Sequence, residues 1–177
     1  MTNTTDTTTP DDATHEPTRT RTFTWEDPLP AAEAGRRMSG LEHLRRLVDG
    51  TLPPPPIMEL LGGRLIEANE GRVVFAAWPA EYHYNPIGVV HGGLAATLLD
   101  SAMGCAVHST LPAGVGYTTL EIKVNYIRAI IMTTGELRAE GSVLHAGSRT
   151  ATAEGRLTDA AGTLYAHGTT TCLILRP

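Results

Sequence analysis

Asn85-Pro86-Ile87-Gly88-Val89-Val90-His91-Gly92-Gly93 opens the stretch whose reading decides the fold, and an apolar run from Leu94 to Val107 completes it before His108. Only Thr97, Asp100, Ser101 and Gly104 interrupt that run, and leucines and alanines fall on every side of a helical period. The pattern predicts a helix buried almost all round. A lone carboxylate on such a helix costs several kcal/mol out of water unless it is paired or used. Asp100 therefore needs a reason.

Both flanks of the helix read as strands. Before it, Arg64 to Ala68 and Arg72 to Trp78 are joined by the turn Asn69-Glu70-Gly71, and Pro79 stops the second. After it, Leu111-Pro112-Ala113-Gly114 turns the chain into a period-two run. Thr118, Leu120, Ile122, Val124 and Tyr126 are expected on the face turned to the helix. Three more strands follow: Glu136 to His145, Ser148 to Thr158, and Thr163 to Leu175. A single apolar helix between groups of antiparallel strands is best buried by a sheet that curls around it, an α+β arrangement. One chain leaves part of that helix uncovered.

Further out, Pro30 to Asp49 reads as a helix with Ser39 or Asp27 as a cap and Gly50 as a stop. Pro53 to Pro56 form a stiff connector, and Ile57 to Leu61 a short helical turn. Residues 1–28, rich in Thr, Asp, Glu, Arg and Pro, have too little to bury and are expected to be a disordered tail in which Phe23 and Trp25 stay undocked. The division is a tail over 1–28, an N-terminal helix and connector over 29–56, and the main domain over 57–177.

The formal net charge of −5, with 19 acidic against 14 basic side chains and Lys123 the only lysine, argues against nucleic acid as the main partner. The N-terminus does not read as a secretory signal, no run approaches a membrane span, and Cys105 and Cys172 sit where small buried side chains belong. A soluble cytoplasmic protein without a membrane partner is the expectation. No His-Glu-x-x-His pair, P-loop or Gly-x-Ser-x-Gly elbow is present, and no metal or organic cofactor is expected.

Two glycines in a first turn are unfavourable by about 1 kcal/mol each against alanine. Tight packing of the turn explains them as well as close approach of a ligand does. With no Ser, Thr, Asp or Asn just before them, the first amides of the helix suit an oxyanion. Asp100 is either hydrogen-bonded to a neighbour or a general base or nucleophile in a partly dry cleft. Gly92 and Asp100 lie ~12 Å apart along one helix, at about 1.5 Å per residue, so they cannot serve the same carbonyl within one chain. Two copies about a two-fold axis would set Asp100 of one opposite Gly92 of the other. Asn85 reads either as a turn initiator before Pro86 or as a group that orients a carbonyl or water. Thr118 reads either as an ordinary strand residue or as a hydroxyl holding water against Asp100.

Asn85-Pro86, His91-Gly92-Gly93, Asp100, Thr118 and the strand Leu120 to Tyr126 resemble, in this spacing, the hotdog-fold thioesterases of the PaaI / acyl-coenzyme A thioesterase 13 type. The resemblance covers about residues 40–175. It implies one long helix wrapped by an antiparallel sheet and a site shared across a homodimer, commonly paired into a homotetramer. It implies hydrolysis of acyl-coenzyme A thioesters, with the Gly92 N–H polarising the carbonyl and the partner's Asp100 as base or nucleophile. Asn85 would position the carbonyl or water, His91 would support the loop, and Thr118 would help hold the water. Coenzyme A would be part of the substrate, with Arg128, Arg149 and Arg156 as candidates for its phosphates and an apolar tunnel for the acyl group. The chain has Arg128-Ala129 where relatives often have Arg-Pro. The alternatives are a hotdog hydratase or dehydratase using His91 with Asp100, and a non-catalytic acyl-coenzyme A sensor.

Overall fold

The computed structural model describes residues 18–177, so the tail expectation for residues 1–17 lies outside the described residues. Residues 18–27 carry no regular secondary structure, yet they are tied to the body. The Arg21 guanidinium donates to the carbonyls of Glu59, at 2.7 Å, and Leu60, and lies 4.1 Å from the centre of the Tyr82 ring. Phe23 and Trp25 stack on each other at 5.4 Å but stay largely exposed. A cation over an aromatic face, helped by two carbonyls, anchors what composition alone reads as free.

The expected helix over 30–49 is two helices, α1 (Pro28–Arg36) and α2 (Gly40–Val48). Both cap residues are used, one for each. Asp27 accepts the Leu29 N–H at 3.0 Å and Ser39 accepts the Glu42 N–H at 3.3 Å. The break lets α2 press on the end of the long helix: a Cβ on Gly40 would lie 1.8 Å from the His108 carbonyl oxygen. Pro56 then starts α3 (Pro56–Leu61), which Gly62 ends in the left-handed region at φ 63.

The six strands are β1 (Gly63–Asn69), β2 (Arg72–Ala77), β3 (Gly116–Tyr126), β4 (Leu137–Ala146), β5 (Thr150–Asp159) and β6 (Leu164–Leu175). They form one antiparallel sheet in the order β1-β2-β4-β5-β6-β3, so β3 is an edge. The long helix, α4 (Gly92–His108), lies in the curl of this sheet, as expected for a hotdog fold. Leu98, Leu99, Ala102, Met103, Ala106 and Val107 are fully buried. No helix of the described residues is long and apolar enough to cross a membrane.

The contact between helix and sheet is close enough to need glycine. A Cβ on Gly141 of β4 would stand 2.3 Å from the backbone of Ala102. Gly141→Ala is therefore expected to push β4 off α4 and to destabilise the protein by about 1–3 kcal/mol, read by denaturant unfolding.

At the C-terminal end of α4, His108 Nε2 and His43 Nδ1 of α2 stand 3.3 Å apart, and His108 Nδ1 is buried with no hydrogen-bond partner among the described residues. Burial lowers the pKa of both rings, that of His108 to about 4, where the neighbouring His43 adds to the effect. The folded state thus disfavours the charged rings. Their contribution to stability is fully present above pH 6.5 and is lost as pH falls through the interval towards about 4. The melting temperature is expected to drop across that interval, and His108→Gln should make the drop shallower.

Candidate active site

The loop before α4 is closed by a bridge between Tyr84 and Val90. Asn85 Oδ1 accepts the N–H groups of Ile87, at 3.1 Å, and Val89, at 3.3 Å. The turn-forming role is thus the one its oxygen performs, which leaves the amide N–H2 for any ligand. His91 differs from the sequence expectation of an uncapped helix. Its extended backbone brings Nδ1 over the first turn, where it accepts the Gly93 N–H at 2.8 Å. A Cβ at Gly93 would meet that same nitrogen at 2.8 Å, so the imidazole cap and the glycine require each other.

With Gly93 capped and the Leu94 N–H bonded to the His91 carbonyl, the Gly92 N–H is left, and no hydrogen bond among the described residues takes it. Tyr126 fixes that peptide from the other side. Its hydroxyl donates to the Gly92 carbonyl at 3.2 Å, and a Cβ on Gly92 would stand 3.1 Å from its ring. Gly92 is thus pinned by an aromatic ring while its amide stays available, at the positive end of a 17-residue helix.

Asp100 is half-buried in the single chain. The hydroxyl that meets it belongs to Thr119, which donates to Oδ1 at 2.9 Å, and not to Thr118. The reason is a register shift between Thr119 and Glu121, where β3 carries one residue more than β6. Tyr117 and Thr119 pair with Ile174 and Cys172, whereas Ile122, Val124 and Tyr126 pair with Thr170, Gly168 and Ala166. Those five partners are all buried on the inner face of β6. Tyr117 and Thr119 therefore face the helix, Thr118 points away, and Leu120 is the extra residue, 56% exposed. Buried Thr170 donates its hydroxyl to the Glu121 carbonyl at 2.7 Å, which satisfies the backbone at the irregularity.

Of the phosphate candidates, exposed Arg128 lines a hollow with Gly92 and Tyr126. Arg156 stands on the outer face of β5 and Arg149 precedes that strand beside the C-terminal end of β6, so one chain does not bring the three together. Among the described residues no group of three or more His, Cys, Asp or Glu side chains is placed to hold a metal. Asn85, His91 and Gly92 converge at one end of α4, while Asp100 and Thr119 meet in its middle. Sequence reasoning missed Thr119 and the role of Tyr126; the adjacent threonines Thr118 and Thr119 are the only sign that the strand's phase was open.

The fold defines a class, the hotdog proteins, in which an antiparallel sheet wraps one long helix. The model of the thioesterase superfamily matches residues 87–166. A protein of Halobacterium salinarum named as a candidate esterase is 45% identical over 69 residues, which is 38% of this chain and 44% of that relative's length. Another so named, from Saccharolobus solfataricus, is 31% identical over 120 residues, 68% of this chain and 84% of the relative. Among solved structures, a conserved protein of Pseudomonas aeruginosa is 34% identical, with 69% of this chain and 95% of that one covered and a TM-score of 0.65. A mutant of the phenylacetic acid degradation protein PaaI from Thermus thermophilus is 27% identical, with 70% and 100% covered and a TM-score of 0.61. The chain belongs to the thioesterase superfamily, and its fold is that of PaaI-like hotdog proteins.

A hydrogen bond to a charged acceptor is worth about 1.5–3 kcal/mol, so Thr119→Val should lower kcat on a thioester substrate by about ten- to a hundredfold. Thr118→Val, on the outward face, should stay within about twofold of wild type, since surface changes seldom exceed about ±0.5 kcal/mol. Steady-state kinetics of the two variants side by side check the assignment.

Proposed function

We propose that the protein hydrolyses acyl-coenzyme A thioesters to the free acid and coenzyme A in a site shared by two copies of the chain. The observation that carries this reading is the pair formed by an unbonded Gly92 N–H at the start of α4 and a half-buried carboxylate, Asp100, oriented by the Thr119 hydroxyl. Their separation of eight positions amounts to ~12 Å of helix, at about 1.5 Å per residue, too far for one carbonyl. Copies with α4 antiparallel bring the partner's Gly92 to Asp100, and the reverse, twice. Half-exposed Gly93, Thr97 and Ser101 on α4 and the free edge of β3 with exposed Leu120, Ile122 and Tyr126 are the surfaces such a pairing would cover. Two such pairs form the tetramer that the family resemblance suggests.

The thioester carbonyl oxygen would accept the partner's Gly92 N–H, and Asn85 beside it would orient the carbonyl or the water through its amide. Asp100, with Oδ1 held by Thr119, keeps Oδ2 for the reaction. As general base it takes a proton from water as the oxygen attacks the carbonyl carbon; as nucleophile it forms an anhydride that water then opens. Either way the C–S bond breaks, the negative charge passes through the oxyanion at the helix terminus, and the thiolate leaves to be protonated. His91 supports the turn through its ring. Arg128, beside Gly92, is the arginine best placed for a coenzyme A phosphate, with Arg149 and Arg156 reachable only from another copy or another part of the ligand. Nothing in this scheme calls for a metal or organic cofactor, and it suits a soluble cytoplasmic enzyme.

Asp100→Asn is expected to lower kcat by about a hundred- to ten-thousandfold while a thioether analogue of the substrate still binds. A variant as fast as wild type on a good substrate would sink the mechanism. Wild type that binds acyl-coenzyme A but turns over none of a broad panel would favour the sensor, and a stable monomer by solution mass would end the shared-site reading.

A further inference from the structure

Thr170 stands on the inner face of β6 among Ala166, Gly168, Cys172 and Ile174, and it is 1% exposed. A buried hydroxyl is unfavourable unless it is hydrogen-bonded, and valine would fill the same space without that cost. The Thr170 hydroxyl donates to the Glu121 carbonyl at 2.7 Å. Glu121, opposite Thr171, is where the pairing of β3 with β6 resumes after the extra residue Leu120. From the outer face, the Thr171 hydroxyl donates to the Glu121 carboxylate, also at 2.7 Å. Two consecutive threonines thus grip one residue of β3 from both sides of the sheet. Water competes for the exposed outer bond, whereas the inner one is made by a buried side chain.

β3 is an edge of the sheet, so within one chain β6 alone sets its register. An extra residue takes backbone groups out of the ladder. A carbonyl turned toward the inner face and left without a donor would favour any shift that returned it to the ladder, and a shift by one residue turns each side chain of the affected half to the other face. The half at stake is Gly116 to Thr119, which ends at the hydroxyl 2.9 Å from Asp100 Oδ1. Cys172, fully buried, is the partner of Thr119 there. Burial raises the Cys172 thiol, and the hydroxyls of Thr170 and Thr119 beside it act against that rise. Thr170, Cys172 and Thr119 therefore adjoin one another between the Glu121 carbonyl and Asp100.

We propose that Thr170 is a positioning residue for the hydrolysis: by holding the Glu121 carbonyl, its hydroxyl keeps the register that sets the Thr119 hydroxyl on Asp100. The assignment rests on the thioesterase reading of the site. Thr170 acts through Thr119 and Asp100, so its removal lowers turnover and leaves substrate binding in place.

The test uses the full chain, a thioester that wild type hydrolyses, and crystal structures of the variants. Thr170→Val, near-isosteric and without the hydroxyl, should lower kcat by about tenfold and leave KM within about twofold, since a hydrogen bond to a charged acceptor is at stake. Thr170→Ser, which keeps the hydroxyl, should stay within about threefold of wild type. The double variant Thr119→Val, Thr170→Val should be no more than about twofold slower than Thr119→Val alone, because both act through one bond. Thr169→Val, on the exposed outer face, should leave kcat within about twofold. In the structure of Thr170→Val the contact of Thr119 with Asp100 should be gone, and in Thr170→Ser it should stand. Wild-type kcat in Thr170→Val, or a further loss of about tenfold in the double variant, overturns the proposal. Should Thr170→Val not fold, Thr170→Cys, of similar shape and with only a weak donor, takes its place. If no thioester in a broad panel is hydrolysed yet Thr170→Val loses the contact and Thr170→Ser keeps it, the placement of Thr119 by Thr170 stands and the thioesterase reading falls. If hydrolysis is normal and the contact survives in Thr170→Val, the reverse holds.

Discussion

Everything in this molecule depends on the seat of α4 against the sheet. The helix is apolar on almost every side, and the backbones of Ala102 and Gly141 approach so closely that a single methyl group would not fit between them. Gly155 of β5 meets Met103 and Leu99 in the same way, where a Cβ would stand 2.9 Å and 3.0 Å from their side chains. Dense packing of this kind fixes the position of the helix along its axis as well as its depth. The first turn and the middle of α4 can then hold chemical groups at a fixed separation. In the proposed dimer, two groups too far apart to meet within one chain become partners because a second rigid helix is laid beside the first.

The same packing explains which parts of the helix are available. β2, β3, β4, β5 and β6 cover most of its circumference, and what remains is a narrow strip of small and polar side chains. The strip begins at the His91 cap, passes Asp100, and ends under α1 and α2. The groups of the proposed hydrolysis and the surface proposed for a second copy both lie along it, because it is the part of α4 the sheet leaves open.

Much of this is legible in the residues themselves. The wrapped helix follows from a long apolar run flanked by strands, and the inward faces of β4 and β5 follow from alternation at Leu137, Ala139, Gly141 and at Ala151, Ala153, Gly155. Gly92 and Asp100 stand out because glycine in a first turn and a charge on an apolar helix are both locally unfavourable. The misses have definite causes. The split of the N-terminal helix at Ser39 depends on a tertiary contact of Gly40 with His108, which no local periodicity reports. The imidazole cap on Gly93 lies outside the usual set of capping side chains. The docking of Arg21 on Tyr82 joins segments far apart in the chain, and composition sees only a polar tail. Strict alternation selects Thr118 over Thr119 because a rule that holds for Ile122, Val124 and Tyr126 is carried back across an irregularity that the sequence marks only by the two adjacent threonines.

That irregularity gives β3 two halves of opposite parity. Odd-numbered side chains face the helix before Leu120 and even-numbered ones after it, so the inward set is written in the strand's length and not in its composition. A chain lacking Leu120 could run through without a break and present the same inward row, Tyr117 and Thr119 followed by Ile122, Val124 and Tyr126. An added residue on either side of the break would turn one half outward and leave the other in place. The register of each half against β6, and not the identity of the side chains, therefore decides which hydroxyl is set against the carboxylate.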